Sequence, residues 1–62
     1  MAKAQQFEVF VNAKPVDPEY TSLEMAIKRA RRESLTHRHV VIANALTGET
    51  IQTWAAGERV NP

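Results

Sequence analysis

The sequence predicts a small α+β domain in the order β-α-β-β, with one amphipathic helix packed on one face of a three-stranded sheet. Three observations carry this expectation. Phe7–Val11 and Val40–Ala43 are β-branched or aromatic runs bounded by turn residues. Leu23, Ala26, Ile27 and Ala30 recur at i, i+3, i+4 and i+7, a single apolar helical stripe. Thr50–Trp54 follows a glycine turn as a return strand. A length of 62 residues suits one domain, here residues 1–62. A chain of this size buries only about 60% of its unfolded surface, so its core is thin. Cysteine is absent, and nine of the apolar residues are alanine. The fold must therefore rest on packing, which a partner subunit would reinforce.

The elements follow in order. Met1–Gln6 is polar and expected to fray, and it carries no secretory pattern. In the first strand, Phe7, Val9 and Val11 alternate with Glu8, Phe10 and Asn12, a period of two. Asn12–Glu19 holds Pro15 and Pro18 with Asn and Asp, which forbids a helix and marks a loop. An alternative is a turn at Asn12-Ala13 and a brief return strand ending at Val16. Thr21-Ser22-Leu23-Glu24 then fits a capping box, with Tyr20 and Met25 at hydrophobic-staple positions. Strong helix formers continue the helix from Ser22 to Glu33 or Leu35. Thr36-His37-Arg38 connects it to the strand at Val40. Leu46-Thr47-Gly48 is a turn with glycine where φ must be positive. Ala55–Pro62 is expected to be a loose tail, leaving an ordered core over about 6–56. The helix joins the first and second strands by a crossover, which predicts that they run parallel, either as neighbours or flanking the third strand.

Register decides what each sheet face carries. A four-residue loop, Ala45–Gly48, opposes Ile42 to Ile51 and Val40 to Thr53. The helix then covers Phe7, Val9, Val11, Val40, Ile42, Ile51 and Thr53, with Leu23, Ala26, Ile27 and Ala30 completing the core. His39, Val41, Ala43, Thr50, Gln52, Trp54, Glu8 and Phe10 lie on the open face. A three-residue loop would instead pair Val40 with Trp54 and place Trp54 beside Ile42. The first pairing is favoured because it puts both isoleucines in the core. It leaves Phe10, Val41 and Trp54 as an exposed apolar cluster, which points to a homodimer contact, a protein-binding surface or a platform for stacking bases. The competing structural reading is that Trp54 packs at the core edge, or that the tail folds over it.

Lys28, Arg29, Arg31, Arg32 and Arg38 place five of the eight basic residues within a short segment. From Thr21 to His39 these five, less Glu24 and Glu33, give a formal charge of +3, against +1 for the whole chain. Lys28, Arg29 and Arg32 lie opposite the apolar stripe, and Arg31 lies at its flank. A solvated helix face with Glu24–Lys28 as an i,i+4 pair explains such a segment structurally. The functional reading is a ridge that contacts phosphates or an acidic protein partner, with His37 and His39 alongside.

Catalytic signals are missing. His37-Arg38-His39 offers two ligating rings without a third partner, so no metal site is expected. Two glycines, Gly48 and Gly57, do not build a phosphate loop. No long apolar run suggests a membrane span. The expectation is a cytoplasmic, non-enzymatic binding module without a cofactor. Nucleic acid is its first partner class, and a protein contact, including a homodimer, is its second.

Overall fold

The structure, a computed structural model, describes residues 6–60. The fraying expected for the N-terminus, and the last two residues of the expected tail, lie outside that range. Six elements follow one another: β1 (Phe7–Val11), β2 (Lys14–Tyr20), α1 (Leu23–Ser34), β3 (Val40–Asn44), β4 (Thr50–Ala55) and β5 (Glu58–Val60). The class is α+β as expected, but the sheet has five strands, in the order β2-β1-β3-β4-β5. Every neighbouring pair is antiparallel.

The two added strands come from tight turns that the sequence marks only weakly. Asn12 and Ala13 take φ of 51° and 71°, and Ala56 and Gly57 take 52° and 77°. Positive φ at both central residues twists a two-residue turn in the sense that antiparallel strands need. The first turn converts the expected proline loop into β2, which runs well past Val16. Pro15 is compatible with a strand because β2 is a sheet edge, where a missing N–H costs no ladder bond on the solvent side. The second turn converts the expected tail into β5.

This hairpin also corrects the expected parallel pairing. β1 and β3 are antiparallel neighbours. The helix crosses over from β2 to β3, and these two strands do run parallel, flanking β1. The crossover rule holds, but its first strand is β2.

The β3–β4 register contains both pairings weighed from the sequence. Near the turn, Asn44 N–H donates to Glu49 O at 2.8 Å and Ala43 pairs with Thr50, as a four-residue loop requires. A bulge then shifts the ladder, so Ile42 opposes Gln52, Val41 opposes Thr53 and Val40 opposes Trp54. The cause is parity. Ile51 and Trp54 are three residues apart, and a regular strand would send them to opposite faces. One extra residue lets both reach the core. Trp54 is accordingly 9% exposed and packs with Val40 and Ile42, while Ile51 is partly buried against the same cluster. The expected open-face position of Trp54 is therefore overturned, and Gln52 and Thr53 exchange faces with it. Trp54 Nε1 donates to Gln52 Oε1 at 3.0 Å, which satisfies its only polar atom.

The core lies between α1 and the sheet. Phe7, Val9, Val11, Ala26, Ala30, Val40, Ile42 and Trp54 form it, with Val16, Tyr20, Leu23, Ile27 and Ile51 packed around them. The small Ala26 and Ala30 let the helix approach closely, and both are fully buried. Its N-cap is Ser22 rather than Thr21, and no side chain closes the expected capping box. No helix among the described residues is long and apolar enough to cross a membrane.

Candidate functional site

The basic residues of α1 divide into a structural member and free ones. Arg29 is half-buried at the flank facing β2. Its Nε donates to Glu33 Oε2 at 2.7 Å and its Nη1 donates to the Tyr20 hydroxyl at 3.3 Å. The Tyr20 hydrogen bond, and after it Glu33, hold the guanidinium above its ordinary pKa. Arg29 thus ties the helix to the end of β2. The i,i+4 pair on this helix is Arg29–Glu33. Glu24 and Lys28, the expected pair, are both exposed and make no ion pair among the described residues.

Lys28, Arg31 and Arg32 are exposed on α1. Among the described residues they have no ion-pair partner. Arg31 and Arg32 occupy the last helical turn, where the partial negative charge of the helix end favours cations. Lys28, Arg29 and Arg32 converge with Tyr20 and Met25 around a cleft of about 240 Å³. Arg31 lies outside it. Arg38 stands apart, at a second hollow of about 380 Å³ where Leu35, Thr36 and His37 meet Ala55 and Ala56.

Sequence reasoning treated Tyr20 and Met25 only as a staple at the helix start. The signal that joins them to the basic residues is a second stripe: Met25, Lys28, Arg29 and Arg32 stand at i, i+3, i+4 and i+7. Tyr20 reaches that stripe because β2 delivers the chain directly into the helix.

No family model, no curated protein and no solved structure matches this chain. Its chemistry is therefore read from its own residues.

The open sheet face keeps Phe10 and Val41, now without Trp54. Their row crosses all five strands as Pro15, Phe10, Val41, Thr53 and Val60. Phe10 and Val41 are half-buried, and Val60 is 44% exposed. A second row holds Glu8, Ala43 and Thr50. Opposite sides of the sheet separate this face from the basic helix, so the two surfaces cannot grip one small ligand together.

His37 Nδ1 lies 3.0 Å from Thr36 Oγ1 and 3.1 Å from the Glu33 carbonyl oxygen, an arrangement that finishes the helix end. His39 is exposed. Among the described residues, no three His, Asp or Glu side chains converge as a metal site would require.

Proposed function

We propose that this chain is a small non-catalytic binding module that holds nucleic acid by its phosphates on the outer face of α1. The observation that carries the reading is the separation of charge on that helix. Lys28, Arg31 and Arg32 are exposed and have no ion pair among the described residues, whereas Glu33 is engaged by Arg29 and Glu24 stands in the first turn, at the other end of the helix from Arg31 and Arg32. Unpaired cations on one rigid element meet phosphates at little reorganisation cost and release condensed counterions. Arg38, exposed beyond the helix end, extends the same charge. A cytoplasmic setting belongs to the same proposal.

The test is a titration of labelled oligonucleotides at several salt concentrations. Each neutralised phosphate contributes about −0.9 to the log–log salt slope on duplex DNA. Changing both Lys28 and Arg32 to Ala should weaken binding and flatten the slope by about two. Absence of binding at about 50 mM salt, where phosphate contacts are strong, would remove the reading.

A second reading, a protein-contact module such as an adaptor, inhibitor or homodimer, is favoured by the apolar row through Phe10 and Val41. It uses the open sheet face and leaves the helix to steer an acidic partner. Trp54, buried beneath the helix, has no part in it.

A further inference from the structure

We infer that the cleft between Tyr20 and the outer face of α1 takes one unpaired base of a single strand, while Lys28 and Arg32 hold the phosphates beside it. The inference rests on the nucleic-acid reading of the helix and names the form of nucleic acid that the site selects.

Two kinds of group line the cleft, apolar and cationic. Tyr20 and Met25 give it an aromatic ring and a polarizable thioether, and Met25 is 49% exposed. Lys28, Arg29 and Arg32 surround these two with positive charge. A purely apolar ligand would leave the cations unused, and a bare phosphate would leave the ring and thioether unused. A nucleotide with its base unstacked supplies both a planar apolar face and an adjacent anion.

Size narrows the occupant further. The cleft, at about 240 Å³, is below the range of about 300–1,000 Å³ that encloses a drug-sized molecule. It is an open hollow, so it meets one face of a base-sized group rather than enclosing a ligand. In a duplex the bases are stacked and paired, so their faces are closed to Tyr20 and Met25. The ridge alone would still hold the duplex backbone, and the cleft adds binding only for a strand whose base can turn out.

Arg29 makes the site rigid. Its guanidinium lies between Glu33 Oε2 and the Tyr20 hydroxyl, and the tyrosine also packs against the core, so the ring is positioned before any ligand arrives. A pre-set ring loses less freedom on binding than a mobile one.

The experiment measures anisotropy of three labelled probes, a thymidine 12-mer, the same strand with abasic sites and a duplex of equal length, and adds a competition of the 12-mer against polyglutamate. Met25→Ala is the main variant, since an exposed methionine can be truncated without loss of fold. Tyr20→Phe keeps the ring and removes only the hydroxyl. The expected result is that the single strand binds more tightly than the duplex by on the order of tenfold. Met25→Ala and the abasic probe should both abolish that preference, leaving the salt slope unchanged. Tyr20→Phe should retain most of it. Equal affinity for single strand, abasic strand and duplex, all weakened by changing Lys28 and Arg32, would overturn the base site and keep the phosphate ridge. Displacement of the strand by an equal charge of polyglutamate, with no effect of Met25→Ala, would also overturn it. Failure of every oligonucleotide to bind would overturn the ridge itself, and the base site with it.

Discussion

Ser34 is the buried polar side chain among the described residues, and it joins two distant parts of the chain. Its hydroxyl donates to the Arg31 carbonyl at 2.8 Å and accepts from the Gly57 N–H at 2.9 Å. The last helical turn is thereby tied to the β4–β5 turn. Gly57 suits its place because φ is +77°, a region that side-chain-bearing residues rarely adopt. Ser34→Ala leaves the Gly57 N–H without its partner, at a cost of about 1–3 kcal/mol. Urea unfolding should show that loss, and hydrogen exchange at Gly57 should quicken. An unchanged midpoint with unchanged exchange would mean that the tie carries no stability. Arg29 makes the corresponding tie on the other flank. A base whose pKa is raised on folding stabilises at every pH below its ordinary value, and loses that contribution only as pH climbs through the raised one. From the arginine side, the link to Tyr20 is therefore constant across the neutral range.

The hairpins show how an element can be hidden in a sequence. Periodicity made the helix, β1, β3 and the first half of β4 legible, since burial of one face imposes it directly. Prolines at 15 and 18 concealed β2, because their meaning depends on whether the strand is an edge, and position in a sheet is a tertiary property. Alanine at 13 left the first turn only as an alternative and alanine at 56 concealed the second, since neither is a residue that usually takes positive φ. Trp54 was misplaced because a bulge changes the face of every residue beyond it. The basic residues of the site were legible as a cluster. Their division was not, since Arg29 differs from Lys28 only through partners supplied by the fold. The Asn12-Ala13 turn gives a clean test of the hairpin. Ala13 holds φ of 71°, a region that disfavours a Cβ by roughly 1–2 kcal/mol, and Asn-Gly is the preferred pair for such turns. Ala13→Gly should raise stability by up to about 1 kcal/mol. A lowered melting midpoint would show that the turn is not of this kind.

At the scale of the molecule, one sheet face is covered by α1 and the other is open. Five strands spaced about 4.8 Å apart and about five residues long offer roughly 400 Å² in projection. A standard stable interface needs about 800 Å² from each partner, so self-association through this face should be weak. Sedimentation at tens of micromolar should then show a concentration-dependent equilibrium. Phe10→Ser, in the middle of the row, should give a folded monomer. A wild-type chain that stays monomeric throughout, or a variant with the same concentration dependence, would remove the open face as a self-contact. The edges are less available for pairing. Two prolines interrupt the donors of β2, and β5 offers only three residues.

The central position of β1 bears on how quickly the chain reaches this state. Each other ladder in the sheet joins strands that are consecutive in the chain; β1 with β3 is the exception, and it closes over all of β2 and α1. Local hairpins form within microseconds, whereas a long closure must lose chain entropy before its contacts are made. The β1–β3 zipper brings Val9 against Ile42, two of the most deeply buried side chains. It is therefore the step expected to limit the rate of folding. Truncating Val9 should slow refolding in a stopped-flow chevron, while loosening the β4–β5 turn should act mainly on unfolding.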